Sequence, residues 1–298
     1  MTNKRRQNTR RSTAGAWKTQ TRDIDGMRLV GEQKFVRLDT LCEWFAPGYQ
    51  KAVGEVLPAS QERTSRGGDR SRHPWPADQR HRMMAVHRIV NRWVAPLGCA
   101  EKWQPWADQP AWVRLTARGL AEIGHPDWPE LPWPDDTRKD RLRDDGKYWL
   151  SHLHRINHVR LALARGDIDC LPPHHRWHSE REIEIALPEK VRGVALPHKT
   201  DGYIELLCEQ TWTYPRAQGQ IADLHLPAGA RIGIEVELSR KAFAVYHEHI
   251  FPDLLRQYDA ALYLAVGEAY QALVEARKTF RASDADRRRL RLLQMYTR

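Results

Sequence analysis

Apolar residues recur along this chain at two different spacings, and the alternation between them divides it into elements. Ile24 to Phe35 reads as a short helix, and Val36 to Phe45 places Leu38, Leu41, Cys42 and Phe45 at helical intervals before Pro47-Gly48 stops the run. Ser60 to Asp78 is rich in Ser, Gly, Arg and Pro and predicts a basic loop. From Gln79 an amphipathic helix carries Val86, Ile89, Val90, Trp93 and Val94 up to Pro96-Leu97-Gly98. Glu101 to Trp106 and Ala111 to Leu115 have extended character, and Leu115 to Gly124 starts a further helix with Thr116 as its N-cap.

Between Pro126 and Asp145 the periodicity vanishes into proline and charge, which marks a boundary. A helix follows from Lys147, its apolar surface supplied by Trp149, Leu153, Ile156, Leu161 and Leu163. His154 and His158 lie one turn apart on it, a spacing that suits zinc, yet nothing nearby completes a ligand set and ordinary histidines are expected. His174, His175 and His178, in a proline-bounded stretch read as loop, are treated the same way. Strands are expected at Ile183 to Leu187, Gly202 to Leu207 and Ile232 to Leu238, then a helix from Ser239 to Tyr258. Ala260 to Val266 has the continuous apolar run of a strand buried on both faces, and a last helix covers Glu268 to Ala276. The domain division is therefore 1–22 as a basic tail, 23–125, a linker at 126–146, 147–280, and a basic tail at 281–298.

Composition changes this picture in two respects. The 298 residues exceed what one typical core needs, which favours two modest domains. No apolar run approaches a membrane span and the N-terminus lacks the apolar core of a signal peptide, so a cytoplasmic protein without membrane contact is expected. Cys42, Cys99, Cys170 and Cys208 are too scattered for a disulfide framework or a cysteine zinc site. The net charge of +10 is unevenly placed. Lys4, Arg5, Arg6, Arg10, Arg11, Lys18 and Arg22 precede the first carboxylate, and Arg287, Arg288, Arg289 and Arg291 crowd the C-terminus. Such segments suit a phosphate backbone, so double-stranded DNA is the expected partner, with solubility the competing explanation.

Two helices, a third carrying cations, a two-stranded ribbon and a closing helix make a winged helix-turn-helix. VRLDTLCEWF, RIVNRWVAPLG and PAWVRLTARGL resemble the winged-helix half of the replication-relaxation family of plasmids and integrative elements, although the Ser60 to Asp78 insert is unusual for such domains. That resemblance implies that the third helix enters the major groove, with Arg82, Arg88 and Arg92 as base- or phosphate-contacting candidates. Arg5, Arg6, Arg10 and Arg11 of the tail would then hold phosphates. A winged helix often pairs on symmetrical half-sites, so a homodimer is compatible, although no segment reads as a clear dimerisation helix.

In RIGIEVELSRK, Ile232, Ile234, Val236 and Leu238 point to one face of a strand while Glu235 and Glu237 point to the other. Two like charges aimed at one volume repel unless a cation, a base or water intervenes. The element order of this half, helix, three strands, helix, strand, helix, is similar to the restriction-endonuclease-like fold, a mixed sheet flanked by helices within an α+β chain. In PD-(D/E)XK nucleases the positions matching Asp201 and Glu235 hold metal, so the resemblance implies Mg²⁺ or Mn²⁺ on Asp201 and Glu235. Glu237 stands where most such enzymes have lysine. It would serve as general base, or Lys241 one turn on would reach back. Three functions stay open: a metal-dependent endonuclease of a mobile element that cuts or nicks DNA, a non-catalytic factor that binds DNA and recruits replication, transfer or recombination proteins, or a protein-interaction adaptor, which absent DNA binding would favour.

Overall fold

The structure, a computed structural model, describes residues 19–45, 77–107, 109–133, 145–168, 171–187, 198–213 and 223–295, with the backbone alone at 77–80 and 145–148. The tail to residue 18, most of the basic loop and residues 134–144 of the expected linker lie outside the described residues.

The first half runs α1 (Thr21–Glu32), β1 (Val36–Arg37), α2 (Leu38–Trp44), α3 (Ala77–Val94), β2 (Ala100–Trp103), β3 (Trp112–Leu115) and α4 (Ala117–Glu122). β1 pairs antiparallel with β3, and β3 with β2, so that Val113 faces both Val36 and Lys102. Met27 and Val30 of α1, Leu38 and Leu41 of α2, Val86, Val90 and Trp93 of α3 and Leu120 of α4 fill one core. Thr116 caps α4 by accepting a hydrogen bond from the Gly119 amide at 3.2 Å. Gly119 is required there, because a Cβ would lie 1.9 Å from the Cys99 carbonyl oxygen. Asp23, 0% exposed, ties α1 to α3 through the Arg92 guanidinium and the Trp93 indole N–H at 3.0 Å.

The second half runs α5 (Asp145–Arg165), β4 (His175–Ser179), α6 (Glu180–Ala186), β5 (Gly202–Leu206), β6 (Gln210–Trp212), β7 (Leu224–Leu226) and β8 (Arg231–Glu237). After these come α7 (Phe243–Val245), a π-helical turn (Tyr246–Ile250), α8 (Phe251–Gln257), β9 (Ala260–Val266), α9 (Gly267–Thr279), α10 (Asp284–Arg289) and β10 (Leu290–Met295). A five-stranded sheet takes the order β10-β9-β8-β5-β4, while β6 and β7 form a separate ribbon. β4, β5 and β8 pair antiparallel; β8, β9 and β10 pair parallel. Parallel neighbours need crossovers, and α8 and α9 provide connections of that kind. Ile232, Ile234 and Val236 share a core with Ile156, Val159 and Leu163 of α5, whereas Tyr246, Phe251, Leu254 and Tyr263 form another core. The chain is thus a mixed α/β protein with several sheets.

α5 belongs to both halves. Its Leu161 and Ala164 enter the first core, its Ile156, Val159 and Leu163 the sheet core, and Leu150 and Leu153 meet Phe35 and Trp112. The buried Asn157 donates from Nδ2 to the Phe35 carbonyl at 2.9 Å, and the buried Arg181 of α6 donates to the Gly31 and Pro129 carbonyls. Lys34, after α1, reaches Glu180 at 2.9 Å and Glu184 at 2.6 Å on α6.

Three expectations are corrected. Of the expected strand Ile183 to Leu187, residues Ile183 to Ala186 are helical rather than extended. The alternating Glu and Ile residues mimic a strand, but Ser179 and Glu182 form a capping box that starts α6. The missing strand is β4, in the His-rich stretch read as loop, where His175, Trp177 and Ser179 are buried between more exposed Arg176 and His178. The C-terminal segment is not a free basic tail over its described length. Arg289 donates to the carbonyls of Leu255 (2.8 Å), Tyr258 (2.7 Å) and Asp259 (2.7 Å), closing the end of α8. Arg287 donates to those of Phe280 and Ala282, and Arg291 lies buried 4.1 Å from the Trp212 ring centroid.

Candidate active site

The register of β5 and β8 sets Gly202 opposite Ile234, so the next pair outward is Asp201 and Glu235. Both are nearly buried, at 9% and 7% exposure, and Glu237 is at 3%. Gly202 lets β4 close over this end of the strand, since a Cβ would lie 2.2 Å from the Trp177 ring. Asp201 accepts a hydrogen bond from the Val236 amide at Oδ2 (2.7 Å), which fixes its carboxylate beside Glu235.

Two histidines complete the group. His152 of α5 meets Asp201 Oδ1 through Nε2 at 3.0 Å, and His198 meets Glu235 Oε1 through Nε2 at 3.0 Å. His198 is itself anchored, its amide donating to Asp253 Oδ2 at 2.8 Å and its carbonyl accepting from Gln257 Nε2 at 2.9 Å. Burial pushes Glu235 up to about 7, against the hydrogen bond from His198, and the charge of Asp201 adds to the rise. Burial alone would lower both imidazoles. The bond and charge of Asp201 outweigh it at His152, those of Glu235 at His198, and both stand above their ordinary values. Glu235 and His198 thus face each other across an ordinary hydrogen-bond distance, and the ionisation of each depends on the other.

Glu237, two residues on, pairs with Lys241, and Ser239 donates to its Oε1 from N (3.3 Å) and Oγ (3.4 Å). An open hollow of about 330 Å³ beside this pair is lined by Arg240, Lys241, Ala242 and Phe243. Tyr263, the strand partner of Glu235, is buried with its hydroxyl unpartnered, and burial and then the charge of Glu235 hold its phenol far above the ordinary value.

Of the expected catalytic residues, Glu235, Glu237 and Lys241 therefore lie on β8 and just beyond it, and Asp201 lies beside them at the start of the paired strand β5. Sequence reasoning missed His152 and His198. His198 stands three residues before Asp201, a proximity that was available as a signal. His152 had none, because its partner lies far along the chain. Asp201 and Glu235 offer oxygen donors and the imidazoles nitrogen donors, the chemistry of a divalent-cation site. Glu235 stays raised beside Asp201 even though His198 and Lys241 oppose the rise, and a bound divalent cation would offset the remainder, so the residues fit such an ion. As placed, no three His, Cys, Asp or Glu side chains among the described residues converge as a ligand group. His154 and His158, flagged for zinc spacing, face each other at 3.1 Å between their Nε2 atoms.

The DNA-facing candidates divide. Arg82 and Arg88 are exposed on α3, whereas Arg92 is engaged by buried Asp23. Arg5, Arg6, Arg10 and Arg11 lie outside the described residues. No helix among the described residues is long and apolar enough to cross a membrane. Comparison with protein-family models, with curated proteins and with solved structures found no match to this chain.

Proposed function

We propose that this is a DNA-binding protein of a mobile element whose second half is a nuclease-like domain acting on phosphodiesters with a divalent metal. The observation that carries the reading is the side-by-side burial of Asp201 and Glu235 at the matched ends of β5 and β8, with Glu237 and Lys241 next to them. With α6, the β6–β7 ribbon and α7 set aside as insertions, the order α5, β4, β5, β8, α8, β9, with two antiparallel pairings and then a parallel one, agrees with a restriction-endonuclease-like arrangement. The order α1, β1, α2, α3, β2, β3, with β1 on β3, agrees with a winged helix whose α3 presents Arg82 and Arg88.

In this reading Asp201 and Glu235 hold Mg²⁺ or Mn²⁺, which when bound would activate water and offset charge at the phosphorus. His152 and His198 orient the two carboxylates. Glu237 would be the proton acceptor, with Lys241 paired to its carboxylate. The cytoplasm, with duplex DNA as partner, is the setting.

A second reading has its own support. Both carboxylates already meet imidazoles and Glu237 meets Lys241, which is how a retired nuclease scaffold in a non-catalytic DNA-binding factor would neutralise its former site. Supercoiled plasmid incubated with the full chain and Mg²⁺ or Mn²⁺ separates the two. Relaxed or linear product that disappears in Asp201→Ala and in Glu235→Ala supports the nuclease. A gel shift without any product supports the accessory factor, and cleavage that persists in both variants means these residues are not the site.

A further inference from the structure

A separate hollow lies away from the carboxylates, where β1, the β2–β3 connection and the first turns of α5 meet. It encloses about 170 Å³, and its walls include Arg37, Trp106, Gln109, Trp112, His154 and Arg155. Its polar groups are not matched to one another. Trp112 is 1% exposed and its indole N–H has no hydrogen-bond partner, and His154 Nδ1 is buried without one as well. Arg155 is half-buried with no hydrogen bond or ion pair among the described residues, whereas Arg37 is forked onto Asp39.

Leaving such groups buried and unpaired costs about 1–3 kcal/mol apiece. Native proteins tolerate this where a ligand or water completes the bonds. Because His154 Nε2 faces His158 Nε2, either ring can carry the shared proton, so His154 Nδ1 can donate or accept as a ligand requires.

Size and lining together restrict the ligand. An apolar cavity of about 150 Å³ takes one benzene ring, so this hollow holds one ring and not two. Trp106 gives a flat apolar wall while Trp112, 1% exposed, closes the hollow from behind; Gln109 and Arg155 give donors, and Arg155 has no ion pair among the described residues. We propose that it binds one planar ring bearing acceptor oxygens next to a negative charge, the chemistry of a pyrimidine nucleotide. Stacking on tryptophan and a guanidinium on the phosphate are the contacts such a unit uses. The unit has two sources, a free nucleotide or an unpaired base in a single strand. The inference does not depend on cleavage at Asp201.

Calorimetry on the full chain tests it with uridine monophosphate, a single-stranded oligothymidylate, ribose 5-phosphate and an abasic strand of the same length. Saturable one-to-one binding of uridine monophosphate, absent for ribose 5-phosphate, supports a free-nucleotide site. Binding of oligothymidylate well above the abasic strand, without uridine monophosphate binding, supports the unpaired base. In either case Arg155→Gln and Trp106→Ala, checked for unchanged melting temperature, should each weaken binding about tenfold, as loss of one charge-assisted bond or one stacking wall does. No saturable binding by either ring-bearing probe, equal binding of the ringless ones, or unchanged affinity in both variants overturns the proposal.

Discussion

Lowering the pH from 7 to 5 protonates an exposed histidine, but His154 stays neutral in the folded chain. Burial pushes its imidazole down to about 3, helped by the cations of Arg37 and Arg155 and by His158, with Asp39 opposing. The unfolded chain takes up that proton near the ordinary value of about 6.5. Above pH 6.5 neither state is protonated and the group contributes nothing to the pH dependence. Below it the unfolded state binds the proton first, so stability falls as pH drops, until the folded imidazole titrates near 3. One such group costs about 1.4 kcal/mol per pH unit, hence about 2 kcal/mol between pH 6.5 and 5, a large share of a typical folding free energy of about 5–15 kcal/mol. Urea unfolding followed by tryptophan fluorescence at pH 7 and 5 measures the loss. In His154→Gln it should be smaller than in the parent by about 2 kcal/mol. His158 should keep its own share, since burial, the leading cause of its lowered value, is retained. Equal losses in parent and variant would refute the argument.

Asp23→Ala should destabilise the first half by about 3–5 kcal/mol, because it strands the Arg92 guanidinium and the Trp93 N–H, and a melting curve reads it directly. Gly119→Ala should lower the melting temperature by several degrees, since its methyl group would have to displace the Cys99 carbonyl. Arg82→Ala and Arg88→Ala should each reduce the salt slope of duplex DNA binding by about one, in fluorescence anisotropy at rising salt, with little change in stability. Arg92→Ala should do the reverse and act mainly on stability.

Elements were legible where one physical pattern ruled a segment. β9 reads from Ala260 to Val266 because both its faces are buried, and β8 reads from its alternation of aliphatic and acidic side chains. The Thr116 cap was legible because capping is local. Failures arose where two patterns coincide or where the partner is remote. Glu-Ile alternation in α6 has a strand's period, and only the box made by Ser179 and Glu182 decides for the helix. The C-terminal arginines look like a phosphate-binding tail, because no local rule reveals that carbonyls at the end of α8 receive Arg289. At the site, the shared face of Glu235 and Glu237 was legible from the alternation along the strand, whereas Asp201 was singled out by the family resemblance alone. The imidazole of His152, held against Asp201 from another element, was not legible.

The placement of α5 governs how this protein can be divided. Its 21 residues span about 30 Å, with His152 on Asp201 near one end and Leu161 and Ala164 in the first core towards the other. A fragment cut before α5 would leave the first core open where Leu161 and Ala164 had sealed it. A fragment that keeps α5 would carry those side chains bare into solvent. Neither piece inherits a closed interior, so recombination at the proline-rich boundary would produce partners that must travel together.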